Sequence, residues 1–542
     1  MATVELSRRE AILSLLGLPL ALSACRKAPK KLEVAGAIRG ASVDSGHRLR
    51  LAGRASPSRI EKSVKVAIVG AGPSGLSAAW RLERLGIRDY LVFDLERRPG
   101  GTSTYDEDGV VPYPWGAHYV PVPMHDNRAL LTLLREMGAV EREDGEGVVY
   151  KEEMLVRDPD ERLFYKGHWY EGLYPRAGAS RDDISQLARF HREVDAWVAF
   201  RDAKGRRAFT LPMALGSNDA EVTALDRISM ADWLDSKGFT SERLRWFVDY
   251  ACRDDYGLLA KDTSAWAGLF YFASRKKDAI TEAADFLSSS HGNGRIVEHL
   301  AEVAGERILC QRLVTEIVPE EDGVSLTVFD EKEEKLSGYR ADYVVFACPQ
   351  FLARHLLRPY RESSPVGSDF EYGAWMVANV HLRSRPRSRG FAMAWDNVLY
   401  DSPSLGYVVA THQRLLDYGP TIWTYYFPFV DEDPRQSREK LLALSHAEWA
   451  EAIVADLGRA HFGFEDALER IDVWRWGHAM VRPKPGFVFG EARRKAAEPL
   501  GRIHFAHSDL SGLALFEEAQ YRGVVAAEAI ARRLGWEGEG LV

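Results

Sequence analysis

A glycine-rich turn between a buried strand and a helix is the feature that most restricts how this chain can fold. Val64–Val69 has the pattern of a buried strand and runs directly into the turn GAGPSG at residues 70–75. A helical segment, Leu76–Gly86, follows, and a second apolar strand, Tyr90–Phe93, ends at Asp94. This order of strand, turn, helix and acid-ended strand predicts a Rossmann-type βαβ unit that binds a dinucleotide.

Each position in the turn has a mechanical reason. Gly70 permits the tight turn, Gly72 lets the backbone approach a pyrophosphate, and Gly75 lets helix and strand pack closely. Pro73 and Ser74 open the helix, whose free N–H groups and positive dipole end face the phosphates.

The segment after the second strand distinguishes between dinucleotides. Asp94 lies 24 residues after Gly70, where it is placed to hold ribose hydroxyls, and Leu95 follows it. The sequence RRPGGTS at residues 97–103 then resembles the glycine pair of flavoproteins in the amine oxidase and phytoene desaturase superfamily. The resemblance implies that the dinucleotide is FAD, with Gly101 and Thr102 among its contacts. No cysteine lies in the last stretch of the chain, so we expect FAD to be held without a covalent bond.

The resemblance recurs at four more places along the chain. YPWGAHY at 113–119 is similar to the segment that lies along the flavin ring, and 341–349 to a strand that returns to the nucleotide sheet. GNGR at 292–295 opens a helix before strands within 308–318, and GRIHFA at 501–506 precedes the closing motif. The further FAD contacts that the resemblance implies are Gly116, Ala117, His118, Tyr119, Val314, Trp476, Asp509, Phe516 and Ala519.

The spacing of these blocks predicts an α/β fold of two discontinuous domains. Residues 63–124, 290–350 and 476–538 form a glutathione-reductase-like FAD domain. Residues 125–289 and 351–475 form an α+β substrate domain with a mixed or antiparallel sheet, helical before 289 and rich in aromatic strands within 370–430. Alternation within 421–426 suggests a strand with one buried face.

The resemblance implies an oxidoreductase that takes hydride from a small organic substrate, with an amine the leading expectation. Asn379 stands where the family pattern has a lysine at flavin N5, and Leu515 where amine oxidases often have an aromatic residue. His118, Asn379 and His478 are the catalytic candidates, and the histidines, with His507, are candidate bases near neutral pH. Two alternatives remain open: a desaturase or isomerase of an apolar lipid-like molecule, and a non-catalytic or electron-carrying flavoprotein.

The first 25 residues resemble an export signal. Arg8 and Arg9 form a twin-arginine pair, residues 11–24 are an apolar run too short for a stable transmembrane helix, and LSAC at 22–25 resembles a lipobox. We therefore expect twin-arginine export, lipidation of Cys25 and a position on the periplasmic side of a bacterial membrane. Residues 26–62 are basic and rich in Gly, Ser and Pro, which predicts a flexible tether.

Composition excludes several other classes of protein. The net charge of −8 argues against nucleic acid as a partner, so we expect a small-molecule substrate and a membrane contact only through the anchor. The four cysteines have no spacing typical of a metal site. The polar cluster CRDDYG at 252–257 is open to two interpretations, a helix end with a turn or a substrate-binding patch.

Overall fold

The predicted βαβ unit forms the centre of a seven-stranded sheet in the computed structural model, which describes residues 33–51, 60–144, 147–276, 286–363, 369–414, 418–431 and 433–542. Ile60–Val69 pairs in parallel with Tyr90–Phe93 on one side and Lys335–Phe346 on the other. The remaining strands of this nucleotide sheet are Ile308–Leu309, Arg312–Pro319, Val324–Asp330 and Ile503–Phe505. The predicted α/β fold class is confirmed.

Three helices accompany the nucleotide sheet: Pro73–Arg84, Gly294–Ala304 and Phe516–Arg533. The first and last of these pack closely because small residues face each other. A Cβ on Gly523 would lie 2.2 Å from the carbonyl oxygen of Ser74, so no larger residue fits there. This close contact brings the beginnings of the two helices together.

A second sheet of eight strands, here called the roof sheet, is rich in aromatic residues. Its strands, in spatial order, are Ile38–Gly40, Leu468–Val481, Tyr372–Leu382, Thr421–Phe429, Gly406–Val409, Asp396–Leu399, Glu161–Tyr165 and His168–Glu171. Every residue of Thr421–Phe429 is buried, so the prediction of one buried face is wrong. Trp423 and Tyr425 pack on one side against the helix His446–Leu457, and Tyr426 packs on the other side, so both faces are covered.

The predicted helices of the substrate domain are present as Arg128–Glu136, Arg181–Ala199, Met230–Ser236 and Glu242–Tyr256, followed by Ala265–Ala273. The hairpin of Glu161–Tyr165 and His168–Glu171 was not predicted. Lys166 and Gly167 both have positive φ, at 49° and 82°, which is the geometry of a tight hairpin turn. A second hairpin, of Val140–Asp144 and Gly147–Tyr150, also lies in the region that was predicted to be helical.

Shorter elements complete the described chain. The strands are Tyr105–Glu107, Pro112–Pro114, Tyr119–Pro121 and Phe286–Ser288. The α-helices are Val43–Leu51, Ala220–Ala224, Ala353–Leu356, Arg358–Ser363, Pro434–Ala443, His446–Leu457, Phe464–Ala467 and Glu491–Ala496.

The expectation of an unstructured tether over 26–62 is wrong for residues 33–51. Ile38–Gly40 pairs in parallel with Val473–Arg475 of the roof sheet, and Val43–Leu51 is a helix. The sequence did not indicate this order, because the strand of this segment pairs with residues more than 400 positions away. Leu468–Val481 also runs continuously through the roof sheet, across the predicted domain boundary at 476.

Candidate cofactor site and substrate chamber

The glycine-rich turn has the geometry that its sequence predicts. Gly70 has a φ of 103°, and a Cβ on Gly75 would lie 1.8 Å from the carbonyl oxygen of Gly70. The N–H of Gly100 donates to the carbonyl oxygen of Ala71 at 2.8 Å, and Gly101 lies against Gly72. The glycine pair therefore packs on the turn and leaves its backbone open to a bound group.

Two helix N-termini meet at this turn without side-chain caps. Pro73–Arg84 begins after Gly72, and Phe516–Arg533 begins after Leu515; neither receives a side-chain cap hydrogen bond. The hydroxyl of Ser74 donates to the carbonyl oxygen of Ala519 at 2.9 Å, which fixes the two N-termini side by side. Uncapped N–H groups and two positive dipole ends fit the pyrophosphate of a dinucleotide.

Asp94 turns its side chain back toward the glycine turn. Its Oδ2 accepts from the N–H of Ala71 at 2.5 Å, and its Oδ1 accepts from the N–H of Glu96 at 2.7 Å. Burial raises the pKa of Asp94 to about 6, although these two N–H groups act in the opposite direction. The N–H of Arg312 donates to the Asp94 carbonyl oxygen at 2.8 Å, which brings the strand containing Val314 to the same end of the site as Leu95.

The predicted flavin-facing segment joins both domains. A Cβ on Gly116 would lie 2.1 Å from the carbonyl oxygen of Thr102, and Ala117 accepts from the N–H of Asn293 at 3.1 Å. The hydroxyl of Tyr426, from the roof sheet, donates to the carbonyl oxygen of Gly116 at 2.8 Å. The structure thus brings residues 101–102, 116–119 and 292–295 together, as the spacing of the motifs requires.

Comparisons with known proteins agree with this geometry. The family model described as flavin containing amine oxidoreductase matches residues 73–531. The chain belongs to this family. Its amine oxidoreductase fold and the residues of the glycine turn identify the cofactor as FAD. No curated protein matches the chain significantly.

Solved structures share the fold of this amine oxidoreductase at low sequence identity. Wild-type putrescine oxidase bound to putrescine is 20% identical with a TM-score of 0.63, over 87% of this chain and 99% of that chain. Cyclohexylamine oxidase from Brevibacterium oxydans is 18% identical with a TM-score of 0.62, over 87% and 100%. A fatty acid isomerase from P. acnes that produces CLA is 15% identical with a TM-score of 0.60, over 86% and 98%.

Two residues predicted beside the flavin are anchored inside the protein. The Trp476 indole N–H donates to the carbonyl oxygen of Trp115 at 2.6 Å. Asn379 is fully buried; its amide donates to the carbonyl oxygen of Pro114 at 3.0 Å and accepts from the Thr424 hydroxyl at 2.8 Å. Asn379 therefore supports the strand before the flavin-facing segment, which makes it a positioning residue, and its catalytic role stays a prediction.

The closing motif is held by Asp509, which is almost fully buried. Its Oδ2 accepts from the N–H of Gln350 at 2.9 Å and from the Tyr372 hydroxyl at 2.5 Å, and its Oδ1 lies 2.9 Å from Nδ1 of His507. Burial opposes ionisation, but His507 and these donors hold the pKa of Asp509 below its usual value. Asp509 thus ties the closing loop to both domains, and the Phe516 helix follows directly.

The three predicted histidine bases have different surroundings. Nδ1 of His118 lies 3.0 Å from the Tyr426 hydroxyl, and burial lowers the pKa of His118 to about 3. The lowered pKa keeps His118 neutral near pH 7, which argues against the expected base that titrates near neutral pH. His478 stacks on Phe351 at 4.3 Å, on the side of Asp509.

Three acids lie close together near Tyr426, beyond His118, and we call the region around them the substrate chamber. Glu161 and Asp396 are partners on adjacent parallel strands of the roof sheet, and Asp254 projects from the helix Glu242–Tyr256. Burial raises the pKa of Glu161 and Asp254 to about 7 each, and it also raises the pKa of Asp396, which lies near both. The three residues are half-buried.

One arginine offsets part of this charge. Both oxygens of Asp255 accept from Arg275 at 2.9 Å, and the guanidinium lies over the rings of Tyr271 and Tyr119, at 4.7 and 5.6 Å. Glu517, at the start of the closing helix, has its pKa raised to about 7 by burial. Arg275 forms its ion pair with Asp255. The chamber therefore becomes strongly negative when its other acids, Glu161, Asp254, Asp396 and Glu517, ionise.

Of the two interpretations of residues 252–257, the helix end is confirmed, and the substrate-binding patch stays a prediction. Gly257 ends the helix with a φ of 61°, while Asp254 lines the chamber. Glu161, Asp396, Arg275 and Glu517 were not predicted as site residues. No sequence pattern singles out Glu161 or Asp396, because each is the first residue of a short strand whose second residue, Arg162 or Asn397, is also polar.

Proposed function

We propose that this amine oxidoreductase oxidises a small aliphatic amine that carries a second positive charge, such as a diamine. Bound FAD supplies the hydride acceptor. Loss of hydride from the carbon beside one nitrogen, and of a proton from that nitrogen, leaves an imine. The juxtaposition of Glu161, Asp254 and Asp396 beyond the flavin-facing segment supports this proposal above every other observation.

Charge explains why the second nitrogen matters. Like charges on paired positions of neighbouring strands repel each other. Here Glu161 is paired with Asp396, and Asp254 lies near both. An ammonium group placed among them would favour their ionised forms and would gain attraction from each. A diamine can place one nitrogen among the acids and the other toward His118 and Tyr426.

The aromatic residues near the chamber suit the methylene chain that joins the two nitrogens of a diamine. Phe286 and Trp395 lie nearly parallel with their centroids 6.2 Å apart, and Trp395 lies 5.0 Å from the ring of His118. Aromatic faces attract cations and accept methylene groups. Putrescine, the molecule bound in one of the similar solved structures, is a diamine of this kind.

The apolar-substrate alternative has less support. A fatty acid carries a carboxylate, which the acids of the chamber would repel once they ionise. The similarity to a fatty acid isomerase, at 15% identity, shows a shared fold alone. A long apolar chain would also leave Glu161, Asp254 and Asp396 without a partner of opposite charge.

An anaerobic reduction assay tests the proposal. The visible flavin absorbance is followed after adding a series of diamines, monoamines of matched chain length, or an unsaturated fatty acid. We expect bleaching by diamines at the lowest concentrations and weaker bleaching by monoamines. Bleaching by matched monoamines at equal or lower concentrations would contradict the diamine proposal, and a response to the fatty acid alone would favour the alternative.

We further propose that the protein is exported by the twin-arginine route and anchored through lipid at Cys25. The predicted signal lies outside the described residues, and the proposal rests on its sequence. In the part of the chain that the structure describes, no helix has the length and apolarity to cross a membrane. Replacing Cys25→Ser should shift the protein from the membrane fraction to the soluble fraction; unchanged membrane association would count against the anchor.

A further inference from the structure

The segment Ile38–Leu51 crosses from one domain to the other, and we call it the strap. Its strand, Ile38–Gly40, lies at the edge of the roof sheet, paired with Val473–Arg475. Its helix, Val43–Leu51, lies on the nucleotide domain. The strap precedes the region that matches the family model, which begins at residue 73.

Ser42, at the bend between the two parts, holds the loop that follows Asp94. Its N–H donates to Oε1 of Glu96 at 2.8 Å, and its hydroxyl donates to Oε2 at 2.8 Å. The Glu96 N–H in turn donates to Oδ1 of Asp94 at 2.7 Å. Ser42, Glu96 and Asp94 thus form one chain of hydrogen bonds that ends at the acid placed for the ribose.

The strap helix also covers the adenosine end of the site. A Cβ on Gly46 would lie 3.6 Å from Leu95, so the helix backbone rests on the residue beside Asp94. Leu49 packs against the apolar cluster that contains Val314. Arg48 lies over the ring of Phe329 at 5.2 Å, on the strand paired with the one that carries Val314.

We propose that the strap is part of the FAD site: Ser42 positions Glu96 and Asp94 for the adenosine half, and the strap slows release of the cofactor. Both oxygens of Glu96 are occupied by Ser42, so the loop cannot turn without breaking two charge-assisted hydrogen bonds. The effect should be confined to the adenosine half, since the contacts of Ser42 and of the strap helix described above all lie at that end. The inference does not depend on which substrate the protein oxidises.

Binding of ADP to the apoprotein tests the proposal, because ADP carries the adenosine half without the flavin. For Ser42→Ala and Glu96→Ala we expect the Kd of ADP and of FAD to rise by a similar factor, about tenfold for loss of a charge-assisted hydrogen bond. FAD release from the holoprotein, followed by flavin fluorescence, should accelerate by that factor. Ser45→Ala is the matched control, since no side-chain hydrogen bond of Ser45 is found among the described residues, and it should leave all three measurements unchanged. Unchanged ADP and FAD affinities in folded Ser42→Ala and Glu96→Ala variants would overturn the proposal.

A measurement on the unmodified sequence guards against variants that fail to fold. Hydrogen–deuterium exchange of residues 38–51 should slow when ADP is added to the apoprotein, as should exchange of the loop around Glu96. Exchange of the strap that is unaffected by ADP would also overturn the proposal.

Discussion

Glu161 and Asp396 stand side by side on neighbouring parallel strands and face the same chamber as Asp254. Removing one of these carboxyls should weaken the binding of a diamine more than it slows the chemical step. For Glu161→Gln we expect the KM of a diamine to rise about tenfold, equivalent to about 1.4 kcal/mol, with little change in kcat. Glu171→Gln, at an exposed position on the adjoining strand, is the control. A fall in kcat at constant KM would contradict a role in binding.

The pH dependence of binding follows from the raised pKa values. Glu161 and Asp254, each with a pKa of about 7, are largely neutral at pH 6 and ionised at pH 8. The KM of a diamine should therefore fall as the pH rises across that range, because a cation binds the ionised chamber more tightly. Initial rates at several pH values measure this, and Glu161→Gln should flatten the profile. A KM that rises with pH would show that the acids do not bind the cation.

The same acids should reduce the stability of the substrate-free protein. Their carboxyls ionise near pH 4 in the unfolded chain but only near pH 7 in the folded chain, so the unfolded state loses protons first between these values. Stability contributed by the neutral form is thus lost progressively as the pH rises through this window. Glu161→Gln should raise the Tm by about 1–2 °C at pH 8 and leave it unchanged at pH 4. Differential scanning calorimetry at the two pH values tests this, and a Tm gain at pH 4 alone would contradict it.

Gly72 and Gly75 should respond differently to alanine. A Cβ on Gly72 would meet no atom closer than Cα of Gly101 at 3.8 Å, so Gly72→Ala fits the protein and obstructs only the approach of the pyrophosphate. We expect a folded protein that binds FAD at least about tenfold more weakly. Gly75→Ala places its methyl group against the Gly70 carbonyl and should also lower the Tm of the apoprotein. Flavin absorbance and circular dichroism separate the two outcomes; yellow, fully loaded Gly72→Ala would count against the proposed position of the pyrophosphate.

Asn379→Ala tests whether this residue positions the fold or takes part in the reaction. The change removes the partners of the Pro114 carbonyl and the Thr424 hydroxyl in a fully buried place, which should cost about 1–3 kcal/mol of stability. Urea unfolding gives that quantity, and stopped-flow reduction of the flavin gives the chemical rate. A large loss of rate without a loss of stability would make Asn379 a catalytic group after all.

The cofactor end of the site could be predicted because its residues are close in sequence or fixed by repeated motifs. The strand, glycine turn and acid within 64–94 have a local sequence pattern that predicts their conformation. Tyr90–Phe93, for example, has the bounds that its pattern predicts. The substrate chamber could not be predicted in this way. Glu161, Asp254 and Asp396 come from two strands and a helix separated by more than 90 residues, and only the roof sheet brings them together. The strap was missed for the same reason, since its partners lie at 96 and 473–475.

The paired starts of the Pro73 and Phe516 helices have a consequence for the empty protein. Two positive helix ends that lie side by side repel each other. About one turn into the second helix, the amide of Gln520 is buried without a partner for either atom among the described residues. An anion between the helices removes the repulsion, so the bound cofactor stabilises the packing of the two helices that form its own site. Protein stripped of flavin should begin to melt at this junction, well before its sheets separate.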